Sequence, residues 1–152
     1  MSEDAARVTR FDRARYEREA RDPKEVLGIY ENYLYDIKYD IVMQNGLFFD
    51  IYIHDLWRKK LGLKSDFSYL SRYIDTIALT KATKKGWTPD LVNFLAWQYK
   101  ACAFREKGLK SSLESTGKEL GIEHDYGNLH AAGSDVELMA KIFQQQIWRV
   151  EI

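Results

Sequence analysis

Two short apolar segments, each leading into a predicted helix, limit the folds that this chain can adopt. The first is YDIVMQN, which ends at Asn45 and Gly46, and the second is RYIDTIAL, which is bounded by polar residues. Both are typical of short buried strands. The order helix, strand, helix, strand and then helices predicts an α/β fold. Two strands are few for such a sheet, and the remainder of the chain is expected to be helix-rich.

The predicted helices carry sequence signals at their ends. In RDPKEVLGIYENYLYD, Asp22 is the expected N-cap and Pro23 the first helical residue, and Glu25 completes a capping box. Glycine residues are expected to end three further helices, at Gly62, Gly86 and Gly121.

Two later helices are predicted from their first residues. Thr88 and Pro89 favour a helical segment that opens there. The last helix is predicted to run from Ser134 to about Trp148, and Ser134 with Glu137 forms a second capping box. Its expected apolar stripe consists of Val136, Met139, Ala140, Phe143 and Ile147.

The helix predicted in FFDIYIHDLWRKKLG is amphipathic. Its apolar face is expected to consist of Phe49, Ile53, Leu56 and Trp57. His54 is expected on the solvent side of the same helix.

The composition is that of one globular domain. The chain has 152 residues, with a charged N-terminal segment at 1–21, and is 45% apolar and 30% charged. Its 23 basic and 23 acidic residues cancel, so a nucleic acid would have to be met by a local basic patch. The single cysteine, Cys102, excludes an internal disulfide and suits a reducing compartment. Without an apolar run of membrane-spanning length or a signal-peptide core, the sequence predicts a cytoplasmic protein with no membrane partner.

The segment after the first strand is a candidate binding site. The strand delivers Asn45 to a loop, and Asp50 stands where the next helix begins. Because ligands bind at strand ends in open α/β sheets, a carboxylate there is well placed to hold a metal ion. The alternative is an ordinary first-turn carboxylate that the helix dipole favours.

A second candidate lies in NLHAAGSDVELMAKIF, where His130 precedes Asp135 by five residues. The small residues between them allow the backbone to approach a bulky group such as a substrate. The alternative is a loop histidine in front of a capped helix. Two basic runs beside tryptophans, KATKKGW and WRKKLGLK, could meet a phosphate backbone, although lysine-rich helix ends are usually just solvated.

Three segments occur in one order: NGLFFD, YIDTIAL and HAAGSD. Together they resemble the second motif, the following strand and the third motif of the DEDD superfamily of 3′–5′ exonucleases, in its histidine variant. The proofreading subunit of bacterial replicative polymerase belongs to this group. The resemblance covers about residues 22–148 and implies a single exonuclease-like domain with an RNase H-like fold.

The resemblance also implies a chemistry. Asp50 and Asp135 would be ligands of two Mg²⁺ or Mn²⁺ ions, His130 would deprotonate the water that attacks the terminal phosphodiester, and Asn45 would contact the substrate. The implied partner is a nucleic acid, with DNA favoured over RNA.

One part of the family pattern is absent from the sequence. The first motif, an aspartate-x-glutamate on the opening strand, is not found before Asp50, and Asp36 is followed two positions later by Lys38. The three N-terminal strands of the family are missing with it, so the strand from Tyr39 to Gln44 is expected to expose an unpaired edge. A second chain could supply these strands. Alternatively, the chain is an inactive remnant kept as a nucleic-acid-binding or assembly module.

Overall fold

Two short strands pair in parallel and form the sheet of the described chain. In the computed structural model, which describes residues 6–7 and 11–150, β1 (Ile41–Met43) lies beside β2 (Tyr73–Asp75). Ile41 pairs with Tyr73, and Met43 pairs with Asp75. The predicted α/β class is confirmed, since the remaining elements are mostly helices.

Seven α-helices lie wholly within the described residues. They are α1 (Arg13–Glu19), α2 (Pro23–Leu34), α3 (Asp50–Lys60), α4 (Thr76–Lys85), α5 (Phe94–Ala103), α6 (Leu113–Glu119) and α7 (Ala132–Val150). Short 3₁₀ segments occur at Gly46–Phe48, Ser68–Arg72 and Tyr126–Asn128. None of the helices in the described part of the chain has the length and apolarity needed to cross a bilayer.

Both strands are shorter than the sequence predicts. The first covers only Ile41–Met43 of the predicted stretch from Tyr39 to Gln44, and its residues are half-buried. The second ends at Asp75, because the Asp75 carboxylate accepts the backbone N–H of Ile77 and starts α4. The N-cap thus starts a helix within the apolar run, and the part of the predicted strand after Asp75 is helical.

The predicted N-terminal cap of α2 is confirmed in part. The Asp22 carboxylate accepts the backbone N–H groups of Lys24 and Glu25, and Pro23 is the first helical residue. The side chain of Glu25 bonds to Arg21 instead of reaching back to the Asp22 backbone, so the capping box is only half formed. The predicted stops after three helices are confirmed by left-handed backbone at Gly62, Gly86 and Gly121.

The start predicted at Thr88 and Pro89 is wrong, because α5 begins at Phe94. The Asp90 carboxylate accepts the backbone N–H groups of Val92 and Asn93. These bonds hold a turn in front of the helix, in competition with helical pairing.

The predicted start of α7 is also wrong, since the helix begins at Ala132, two residues before Ser134. The Ser134 hydroxyl is hydrogen-bonded to Nε2 of His124 at 2.9 Å, and Glu137 pairs with Lys141. Neither side chain of the predicted capping box therefore caps the helix.

The buried face of α7 differs from the predicted stripe. It consists of Leu138, Ile142, Gln146 and Val150, spaced four residues apart. Val136 of the predicted stripe is exposed, whereas Phe143 is half-buried in the contact with α4. The Gln146 amide donates to the Thr80 hydroxyl at 2.7 Å, so a buried polar bond fastens α7 to α4.

The predicted orientation of α3 is wrong. Ile51 and His54 are buried, whereas Phe49, Ile53 and Leu56 are each about half exposed. His54 can be buried because both of its ring nitrogens have hydrogen-bond partners.

The ring of His54 is held between α2 and the 3₁₀ segment Ser68–Arg72. Its Nδ1 lies 3.2 Å from the Tyr69 hydroxyl, and its Nε2 lies 2.9 Å from Oε1 of Glu31. Arg58 pairs with the same carboxylate. A buried polar group is tolerated when its hydrogen bonds are made, so this network fixes α3 against α2.

Candidate functional site

A buried carboxylate at the end of β2 organises the turn that follows β1. Oδ1 of Asp75 accepts the backbone N–H groups of Asn45 at 3.1 Å and Ile77 at 2.9 Å, and Oδ2 accepts that of Leu47 at 3.1 Å. Burial raises the pKa of Asp75, and the same three backbone bonds oppose that rise. Asp75 therefore links the start of α4 to the turn that leads to Asp50.

The turn requires a glycine at position 46. Asn45 has left-handed backbone with φ 62°, and the buried Gly46 comes next. A Cβ on Gly46 would lie 1.5 Å from the Tyr73 hydroxyl and 2.9 Å from Cβ of Met43. Only a residue without a side chain lets the turn lie this close to both strands.

Asp50 is the first residue of α3 and is half-buried. Burial raises the pKa of its carboxyl, a backbone hydrogen bond opposes the rise, and the negative charge of Asp75 adds to it. The Asp50 charge also contributes, after burial, to the raised pKa of the Tyr30 phenol. This carboxylate thus stands close to a second negative charge, a setting that a cation would stabilise.

His130 and Asp135 lie together at the head of α7. His130 is exposed and has left-handed backbone with φ 73°, and its backbone N–H donates to Oδ1 of Asp135 at 3.0 Å. The Asp135 backbone N–H in turn bonds to the Ala131 carbonyl at 3.0 Å. The carboxylate of Asp135 therefore holds the loop that presents the imidazole to solvent.

A chain of contacts joins this loop to the end of β1. The Gln44 side chain donates to the Ser111 carbonyl at 3.1 Å, and Ser112 caps α6. Leu113, the first residue of α6, packs against the buried cluster of Leu129, Leu138 and Ile142, and Leu129 directly precedes His130. The His130 loop is thereby connected to the same end of the sheet as the Asn45 turn.

Asp50 and Asp135 have different partners. The charge of Asp75 acts on Asp50, whereas Asp135 accepts the backbone N–H of His130. Within residues 6–7 and 11–150, no group of three or more His, Cys, Asp or Glu side chains is arranged to hold a metal ion. Mg²⁺ and Mn²⁺ bind through several oxygen ligands, so Asp50 and Asp135 do not make a divalent-cation site on their own.

The two edges of the sheet differ. On the outer side of β2, the Gln98 side chain accepts the Asp75 N–H at 2.6 Å and donates to the Tyr73 carbonyl at 2.8 Å, as a neighbouring strand would. On the outer side of β1, no backbone partner is found among the described residues. The open edge lies on the side where the sequence predicts missing strands.

Two residues of this region are absent from the sequence-based site. The N-cap role of Asp75 could be predicted, since an aspartate between a strand and a helix is a strong N-cap. Its bonds to Asn45 and Leu47 could not, because they join residues far apart in sequence. Gln98 carries no sequence signal, because a glutamine within a helix is ordinarily exposed.

Comparison of the chain with protein-family models, curated proteins and solved structures gives no match.

Proposed function

We propose that the chain is a 3′–5′ exonuclease domain of the histidine DEDD type, with a partial RNase H-like fold. It would hydrolyse the terminal phosphodiester of a nucleic acid, with DNA favoured over RNA, once a further strand supplies its first carboxylate motif. The observation that supports the proposal most is the parallel pairing of β1 with β2. It sets the turn from Asn45 to Asp50 at the strand ends, and the bond from Gln44 to Ser111 and the packing of Leu113 on Leu129 link that end of the sheet to the His130 loop.

The roles of the individual residues follow from their surroundings. The exposed imidazole of His130 can accept the proton of an attacking water, the role that histidine most often takes as a general base. The Asn45 side chain is exposed and has no hydrogen-bond partner in the described structure, so it is available to contact the strand end.

The described carboxylates are too few to hold the metal ions of such an enzyme. Asp50 and Asp135 would act with carboxylates of the added strand, and Mg²⁺ or Mn²⁺ held among them would stabilise charge on the attacked phosphate. The unpaired edge of β1 is where a strand can add by main-chain hydrogen bonds. The exposed apolar face of α3, formed by Phe49, Ile53 and Leu56, gives that partner a surface to cover.

The test is release of nucleotides from a 5′-labelled oligonucleotide in Mn²⁺. It is carried out with the full chain, alone and with any protein that co-purifies with it. Shortening from the 3′ end is expected in the assembled form and should be lost in His130→Ala. Asp135→Asn keeps an oxygen to accept the His130 N–H but removes the charge, so it should lose activity without unfolding the loop. Activity that survives replacement of both Asp50 and Asp135 would contradict the assignment.

The second candidate function is a catalytically inactive module that binds nucleic acid or assembles with a partner. One observation favours it, because Asp135 already has a structural role as the acceptor of the His130 N–H. It predicts binding that is unchanged by EDTA and by His130→Ala, together with no nucleotide release. The two measurements separate the candidates.

A further inference from the structure

A cleft opens between α4 and the loop that follows α5. Its volume is about 310 Å³, and its lining includes Asn45, Lys81, Arg105, Glu106, Lys107 and Ser111. Because Asn45 begins the turn that leads to Asp50, the cleft adjoins the candidate site. It is therefore a place where more of a substrate could lie.

Two positive charges converge at the floor of the cleft. The Lys81 ammonium donates to the carbonyls of Cys102 at 2.7 Å and Phe104 at 2.9 Å, and the Arg105 guanidinium donates to the same two oxygens. Burial lowers the pKa of Lys81 and the charge of Arg105 lowers it further, whereas Coulombic interaction with Cys102 and Asp75 opposes that fall. The two cations share the same carbonyl acceptors, so their like charges lie close together, and an anion in the cleft would relieve the repulsion.

The cleft has no free carboxylate to balance these charges. Glu106 is the acidic residue in the lining, and both of its oxygens bond to Lys85, at 3.0 and 2.8 Å. Lys107 is exposed and makes neither a hydrogen bond nor an ion pair within the described part of the chain. The lining therefore carries an excess of positive charge although the chain as a whole is neutral.

We propose that this cleft binds a backbone phosphate of a nucleic-acid strand, with Lys107 and Arg105 as its cationic ligands. The inference rests on the proposed nuclease function for the identity of the strand. Lys107 would reach the phosphate from the loop that follows α5. A phosphodiester is the anion of choice because Asn45, which lines the cleft, begins the turn that leads to Asp50.

The experiment measures binding of a fluorescent dT12 oligonucleotide to the full chain in EDTA, so that cleavage is not required. Lys107→Ala should weaken binding about tenfold, the effect of one lost charge-assisted hydrogen bond. The dependence of log K on log salt should become shallower by about 0.7, the value for one phosphate contact with a single strand. Lys107→Arg should restore most of the affinity.

The matched control is Lys24→Ala in the first turn of α2, which removes an exposed lysine without an ion pair in the described structure. Lys24 belongs neither to the cleft lining nor to the two basic runs beside tryptophans. Equal losses in Lys24→Ala and Lys107→Ala would overturn the proposal, as would the absence of oligonucleotide binding by the unmodified chain. Displacement of dT12 by dTMP at the same concentration as by unlabelled dT12 would assign the cleft to a mononucleotide and also overturn it. If Lys107→Ala weakens binding while no nucleotide release is ever seen, the cleft stands and the nuclease function fails.

Discussion

At the scale of single residues, the two aspartates at the ends of the strands have different tasks. Asp75 is fully buried and uses both carboxylate oxygens for backbone N–H groups of its own chain. Asp50 is only half-buried and lies where a ligand can reach it. The first aspartate organises the turn, and the second remains partly accessible to solvent.

Replacing Asp75 by alanine should destabilise the fold. The change leaves three backbone N–H groups, those of Asn45, Leu47 and Ile77, without their acceptor. We expect a loss of about 3 kcal/mol or more in the free energy of unfolding, measured in urea, since each unsatisfied buried group costs about 1–3 kcal/mol. Asp75→Asn retains one acceptor oxygen and should cost less. The exposed Asp40→Asn serves as control and should change stability by less than about 0.5 kcal/mol.

Replacing Asp50 by asparagine should stabilise the fold at neutral pH. Because the folded-state pKa of Asp50 is raised, its ionised form is less favourable in the folded chain than in the unfolded one. The wild type therefore loses stability as the pH rises from the ordinary pKa of 3.8 through the folded pKa, and Asp50→Asn does not. Urea unfolding of both proteins between pH 3 and pH 7 measures this difference. A variant that is less stable at pH 7 than at pH 3, relative to wild type, would contradict the assignment of a strained carboxylate.

At the scale of elements, the sequence predicts correctly those features of a helix that neighbouring residues determine. The cap at Asp22 and the stop at Gly86 depend on neighbouring residues, and both are correct. The buried face of α3 depends on Glu31 and Tyr69, which lie 23 and 15 residues from His54. The periodicity of apolar residues places His54 on the solvent face of the helix. It gives the wrong face because it carries no information on the distant partners Glu31 and Tyr69.

Two alanine substitutions two residues apart, on opposite sides of the helix, test the orientation of α3. Ile51 is 5% exposed, whereas Ile53 is 49% exposed. Ile51→Ala should therefore cost about 2–5 kcal/mol in the free energy of unfolding, and Ile53→Ala less than about 1 kcal/mol. The comparison is controlled internally, because the side chain removed is the same. Equal losses would contradict the observed orientation, and a larger loss in Ile53→Ala would restore the face predicted from the sequence.

At the scale of the whole molecule, only one of the two outer edges of the sheet has hydrogen-bond partners for its backbone groups. Gln98 satisfies the outer edge of β2, whereas β1 has no outer partner in the described chain. The sequence predicts this open edge, because the strand motifs occur without the expected first one. It does not predict the interaction of Asp50 with Asp75, since these residues lie far apart in sequence and the fold brings them near each other.

The chain alone should therefore gain little stability from divalent cations. Asp50 and Asp135 are too few oxygen ligands for tight binding, and the gain from a ligand is RT ln(1 + [L]/Kd). With 1 mM Mn²⁺ and a Kd of about 10 mM, the gain is below about 0.1 kcal/mol, which moves the midpoint of thermal unfolding by less than about 1 °C. Melting curves in Mn²⁺ and in EDTA measure the shift, and Asp50→Asn is the control. A rise of several degrees that is lost in Asp50→Asn would show instead that the chain completes a metal site by itself, and the added strand would then be unnecessary for cation binding.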